Sequence, residues 1–380
     1  MTKSIAQDRQ LGFILLLPLI FLVVGMLIRL AAVQYQMPDE PLDRNFDVLC
    51  RWDCDWYVLM AENGYDRFPT PKRLNAGNWA FFPFYPMLVG VVAKLTPLPT
   101  VVVGSLVSLA TAYACVVLAW PLLGRDRRAY TLYAIFILSG PVSFYFTTFF
   151  TEVMFVLLTT LVFRFLHRSN YLAASGAAAL LSATRIVGVF VAVSIGIQAI
   201  VDYRRQHGTW VGVIPGILRQ PKILLAFVVA PLGLFVYMAF LHNWVGDGLA
   251  FSHTQRAWGR QFGNPLGYLW KGLSSGTDGF RLSASQILAL SACAGLIMTG
   301  VLAWRRQWAA AAFALLAIIV PLSAGLASML RFMAGMAPLT IGLITILAKH
   351  RWLFALSALG LLAGAWFTTL AWLGGNIALV

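Results

Sequence analysis

LGFILLLPLIFLVVGMLIRLAAV, residues 11–33, decides what kind of protein this is. The run carries a single charged side chain, Arg29, and exceeds the roughly 20 apolar residues that a helix needs to cross a bilayer. It is too long for the apolar core of a signal peptide and has no clear small-residue cleavage site, so it reads as a first transmembrane helix. Working outward, residues 100–123 and 287–304 repeat the pattern.

The chain has 380 residues, of which 60% are hydrophobic and 11% charged. Soluble domains carry about 25% charged residues, so a water-facing surface cannot be built from this set. The formal charge of +14 does not point to nucleic acid. Basic residues of membrane proteins collect in cytoplasmic loops and set orientation, and no basic stretch carries a nucleic-acid motif.

Placing the basic short loops inside predicts an all-α integral membrane protein of about 11 transmembrane helices, forming one domain over 1–380. The amino terminus, with Lys3 and Arg9, is cytoplasmic. Residues 34–98 form a first external loop and 242–283 a second. Spans fall near 99–123, 129–147, 149–166 and 223–241, with a last helix over about 352–375. Residues 171–201 have basic residues beyond both ends, so they read as a hairpin of two shorter helices turning at Thr184–Arg185. A further helix ends near Arg331. Residues 79–95, WAFFPFYPMLVGVVAKL, could span or lie at the interface. Pro83, Pro86 and the aromatic cluster favour the interface. No internal repeat or pair of broken inverted spans marks a secondary transporter.

The acidic residues are scarce, and eight of the 14 fall in the first external loop: Asp39, Glu40, Asp43, Asp47, Asp53, Asp55, Glu62 and Asp66. Most read as a solvated face. Leu49 to Asn63 has helical periodicity. At about 100° per residue, Trp52, Trp56, Leu59 and Met60 share an apolar face. Asp53 lies on its edge beside Tyr57 and Met60, while Asp55 and Glu62 point away. A helix lying on the membrane would hold Asp53 at the boundary, where a lipid-borne substrate can reach it. Asp53 is therefore the candidate catalytic acid of the loop.

Glu152, Arg185 and Arg331 sit within apolar segments, where an ionisable group is costly unless paired or facing a wet cavity. They are candidate site residues, and mutual pairing of Glu152 with Arg185 is the structural alternative. Arg29 and Arg164 read as snorkelling side chains. The second external loop clusters Asp247, His253, Gln255, Arg256, Trp258 and Arg260. Trp can stack on a sugar and Arg can hold a phosphate. Cys50 and Cys54 lack the further His or Cys of a zinc site. A bridge between them is open, strained if the segment is helical. Cys115 and Cys293 read as packing residues. No P-loop or dinucleotide fingerprint is present, so a transferase of this sequence needs a donor other than a nucleotide, and a lipid phosphate in the same membrane is one.

RWDCDWYVLMAENGYD (51–66) and WAFFPFYPMLVG (79–90) resemble the signature of the PIG-V-like mannosyltransferases, which belong to the membrane-embedded GT-C glycosyltransferases. SFYFTTFFTEVMF (143–155), ATRIVG (183–188), GDGLAFSHTQRAWGR (246–260) and RFMAGMAPL (331–339) follow in the same order. The chain is shorter than the eukaryotic members and is similar to their bacterial relatives. Asp66 follows Tyr65 directly, where the family often has an acid a few residues later.

The resemblance implies a GT-C bundle with interfacial helices in the first external loop packed over a lipid-facing cavity. It makes Asp53 the general base and maps donor-phosphate binding to Arg185 and Arg331. Trp52, Trp56, Tyr57, Glu152, Gln255, Arg256, Trp258 and Arg260 are the expected substrate-binding residues. The implied partners are a polyprenyl-phosphate-sugar donor, a glycan or glycolipid acceptor and membrane lipids. The implied reaction is mannosyl or related hexosyl transfer on the extracytoplasmic face of the cell (inner) membrane, with inversion and with neither metal nor cofactor. A flippase for a lipid-linked sugar is the alternative from another class.

Overall fold

The structure, a computed structural model, describes residues 2–70, 75–277 and 282–379, with backbone alone for 2–6. The expected external loops therefore extend in part, at 71–74 and 278–281, beyond the described residues, as does the side chain of Lys3. Among the described residues 75% are helical and no strand forms. In apolar surroundings this is forced: each backbone N–H and C=O must be satisfied within its own segment.

The principal helices are α1 (Thr2–Gln36), α2 (Asp53–Asn63), α3 (Phe84–Ala93), α4 (Thr100–Ala119), α5 (Arg127–Ser139), α6 (Thr151–Leu166), α7 (Tyr171–Ser182) and α8 (Val191–His207). They are followed by α9 (Pro221–Val229), α10 (Leu232–Val245), α11 (Ala284–Trp304), α12 (Trp308–Leu322), α13 (Met329–Ala334), α14 (Ala337–Leu347) and α15 (Arg351–Leu373). Among the described residues, six stretches are long and apolar enough to cross a bilayer: 7–36, 100–119, 186–207, 221–245, 284–304 and 351–373. They make the chain a membrane-embedded protein. The remaining apolar runs form shorter helices; α3, α7, α12 and α14 are each 10 to 17 residues long. At 1.5 Å per residue these rise roughly 15–25 Å, less than the hydrocarbon thickness of about 30 Å. Spanning length is thus reached by six of the apolar runs rather than by all of the eleven or so expected.

The shortness has a structural use. α7 ends at Ser182 and a 3₁₀ turn, Ile186–Phe190, precedes α8, so the chain breaks at Thr184–Arg185. The expected span over 129–147 breaks at Gly140, and α12 stops at Leu322. Arg331 consequently does not end a long helix, as the apolar pattern suggested. It sits on its own short helix, α13, entered through Ser328 in a left-handed conformation (φ 65°).

The first loop departs from the periodic reading at its start. Leu49 to Asn63 is not one helix, because α2 begins at Asp53 and Trp52 before it takes φ 60°. Cys50 and Cys54 form a disulfide across this break, so the bridge does not have to be fitted inside a helical turn. Arg51 donates to the Leu373 carbonyl and the Trp372 indole donates to the Leu49 carbonyl, tying the break to the end of α15. Trp52 is turned out and exposed, off the apolar face. Trp56, Tyr57 and Met60 are buried, and Asp55 and Glu62 are exposed.

Two arginines expected to snorkel do otherwise. Arg29 is buried and donates to the Leu138 carbonyl and to Ser143 Oγ, capping the end of α5 from α1. Arg164 donates to the Leu118 carbonyl at the end of α4. Each guanidinium satisfies carbonyls that the end of a helix leaves open.

The helix carrying Asp53 is held down by α3, which crosses it closely. A Cβ on Gly90 would run into the Ala61 carbonyl of α2. Gly90→Val is therefore expected to separate the two helices and cost about 1–3 kcal/mol of overpacking. The check is the thermal midpoint of the detergent-solubilised protein, where an unchanged value would refute the close crossing.

Candidate functional site

Glu152 occupies the second position of α6, where the unpaired N–H groups of the first turn favour a negative charge. Its side chain has no exposed surface. Arg185, at the α7–α8 break, donates from Nη1 to Glu152 Oε1 at 2.7 Å. Arg331 Nε stands 2.5 Å from the same oxygen. The Nη2 of Arg331 donates to Asp53 Oδ2 at 2.6 Å. Four groups that are remote in sequence thus form one chain, Asp53–Arg331–Glu152–Arg185. The pairing of Glu152 with Arg185 weighed as a structural alternative is present, and it is part of a larger network. Glu152 Oε2 is buried without a hydrogen-bond partner.

Aromatic rings set the arginines in place. Arg185 lies 4.6 Å over the ring of Phe332 and 5.7 Å from that of Phe155, and Arg331 lies 5.7 Å from Phe150. Such faces attract a cation most where water is excluded. Tyr57 ties α2 to the start of α6 through a 3.0 Å hydrogen bond between its hydroxyl and Thr151 Oγ1. Burial, followed by the Asp53 and Glu152 carboxylates, pushes the Tyr57 phenol above its ordinary pKa. It is a neutral hydrogen-bonding group at any physiological pH.

These side chains face a cavity of about 710 Å³, within the range of sites that take drug-sized ligands. Asp53, Tyr57, Thr151, Arg185 and Arg331 form its polar floor. The second loop, through Ser252, His253, Gln255, Arg256, Trp258 and Arg260, covers one side. Ile186, Val187, Ala317, Val320 and Pro321 make an apolar wall. Several lining residues, Thr184 and Arg185 among them, come from helix breaks. Non-helical backbone inside an apolar region is tolerated where it lines such a space.

Of the expected site residues, Asp53, Tyr57, Arg185, Gln255, Arg256, Trp258, Arg260 and Arg331 line the cavity. Glu152 stands behind the two arginines it holds. Trp52 is not brought to the site, because the break at residues 51–52 turns it away from the helix face. Trp56 lies behind the lining, packed on Phe81 and Trp258 with ring centroids 5.5 and 5.7 Å apart.

Other contributors escaped the sequence reading. Asn78 is buried and exchanges hydrogen bonds with Asp66, while its amide also donates to the Gly64 carbonyl. Tyr237 and Trp244 of α10 donate to backbone carbonyls of this same segment. Together they latch the first loop to α10 and hold Phe81 and Phe82 at the cavity. Asn78 is a lone amide amid apolar residues in GNWAFF, which could have marked it; Tyr237 gives no such signal inside an apolar run.

Comparison with protein-family models, with curated proteins and with solved structures finds no match to this chain.

Removing the shared acid leaves two guanidinium groups without it, that of Arg331 buried and that of Arg185 partly so. Glu152→Gln keeps the size and loses the charge, so it is expected to destabilise the protein by about 3 kcal/mol, as for a broken buried ion pair. A thermal midpoint equal to that of the wild type would show that the network does not support the fold.

Proposed function

We propose that the chain is a membrane glycosyltransferase of the GT-C type, related to the PIG-V-like mannosyltransferases. It would move a mannosyl or related hexosyl group from a polyprenyl-phosphate carrier to an acceptor hydroxyl. The observation that carries the reading is the meeting of Asp53 with arginines in one cavity that also has an apolar wall. A carboxylate can take a proton from the acceptor, arginines can hold a phosphate, and the wall suits a prenyl chain.

The reaction is a single in-line displacement. The acceptor oxygen bonds to the anomeric carbon as the bond from that carbon to the phosphate oxygen breaks. The acceptor proton goes to Asp53, and the carrier leaves as a phosphate monoester whose developing charge the cavity arginines stabilise. Arg331, by gripping Oδ2, fixes the carboxylate and leaves Oδ1 to face the acceptor. One displacement inverts the anomeric configuration, whereas retention would call for a second, nucleophilic carboxylate. Under the positive-inside assignment, with Arg125, Arg127, Arg128, Arg305 and Arg306 in the cytoplasm, the cavity opens on the extracytoplasmic side.

The test uses purified protein in nanodiscs, with polyprenyl-phosphate mannose as donor and a mixed lipid extract as acceptor. Wild type is expected to transfer the sugar. Asp53→Asn is expected to bind donor and to lose transfer by about a hundredfold or more, as for removal of a general base. Donor bound by both proteins and transferred by neither would set the reading aside for this donor. Movement of the intact lipid-linked sugar across liposomes would then favour a flippase.

A further inference from the structure

Which cavity arginine carries the phosphate follows from the partners each already has. Arg331 is held between Asp53 and Glu152, and Arg185 is held by Glu152. Arg260 differs. Among the described residues it has no carboxylate within ion-pair distance, and its hydrogen bond runs from Nη2 to Ser328 Oγ at 3.2 Å.

Its position is built. Gly259, at φ 68°, turns the chain so that the Arg260 amide reaches back to the Gln255 carbonyl and the side chain enters the cavity. Ser328 keeps a left-handed backbone although it has a Cβ, a conformation that needs support from its surroundings. Its hydroxyl makes no helix cap and accepts from Arg260 instead. The Arg260 guanidinium lies 6.0 Å from the ring of Phe332, the ring that Arg185 covers. Burial lowers the Arg260 guanidinium from its ordinary pKa, Asp53 raises it, and Arg331 and Arg185 lower it again. A cation so placed, among like charges, is the group that an incoming anion relieves.

We infer that Arg260, held by Ser328 on the Phe332 ring, is the principal anchor of the substrate's phosphate, and that Arg331 and Arg185 chiefly position the two carboxylates. This rests on the lipid-phosphate reading above and assigns the anion to one residue of the second loop. Arg185, 4.6 Å from the same ring, adds a second, weaker attraction.

The experiment compares wild type, Arg260→Gln and Arg260→Lys in phosphatidylcholine nanodiscs. It measures binding of polyprenyl phosphate and of the uncharged polyprenol of the same length, together with the thermal midpoint. Wild type should prefer the phosphate. Arg260→Gln should weaken phosphate binding roughly tenfold to a hundredfold, the scale of a lost charged hydrogen bond. Its polyprenol binding should not change, and its midpoint should fall by much less than that of Glu152→Gln, since only the hydrogen bond to Ser328 is lost and no described acid loses a partner. Arg260→Lys should fall between the two. If wild type prefers the phosphate and Arg260→Gln does so equally, the inference fails and the functional reading stands. A midpoint that falls as far as for Glu152→Gln also overturns the inference, because Arg260 would then be structural. If wild type does not distinguish phosphate from alcohol, both fall.

Discussion

One carboxylate, on Glu152, gathers the centre of this protein. It sits in the first turn of α6 with no exposed surface, and two guanidinium groups reach it from segments far apart in sequence. A lone charge of either sign would be costly there. Bringing Arg185 from the α7–α8 break and Arg331 from α13 to the same oxygen compensates the acid and leaves one positive charge over, which Asp53 balances. It also dictates where those two chain breaks must lie. Asp53 is then drawn in through the far side of Arg331, which seats the first loop on the bundle.

The interrupted helices follow from the same constraint. A continuous helix would keep its backbone to itself and offer the centre side chains alone. Ending α7 at Ser182 and α12 at Leu322, and restarting at Ile186 and Met329, leaves room for the cavity between them. Its mixed lining suits a ligand with a charged head and an apolar tail. The two loops that close it are fastened differently. The first is tied by the Cys50–Cys54 disulfide, the Asn78 hydrogen bonds and the close crossing at Gly90. The second rests on aromatic contacts and on Ser328.

The cavity is asymmetric in charge. Four arginines line it, against Asp53 and the buried Glu152 behind them. Two of the arginines are spent on the acids. The others, Arg256 at the exposed rim and Arg260 deeper in, give the space its attraction for an anion. Chemically identical side chains thus differ in what each already touches, and composition cannot report that division.

Membrane residence and helical class were legible in the sequence, because apolar runs of this length leave hydrogen-bonded helices as the stable choice. The scarcity of charge also made Asp53, Glu152, Arg185 and Arg331 stand out, since an ionisable group in an apolar run calls for a partner. Other features belonged to tertiary structure. Periodicity carried Trp52 onto the apolar face of a helix that in fact starts one residue later, because a disulfide and a tie to α15 interrupt it. The break at Thr184–Arg185 was legible from the basic residues beyond both ends of 171–201, whereas hydropathy averaged over the one at Gly140. Arg29 and Arg164 looked like snorkelling ends and instead cap neighbouring helices. An apolar stretch tells that a segment will be buried; which partners its few polar groups find depends on which chain ends and breaks meet in space, and those meetings exist only in the folded bundle.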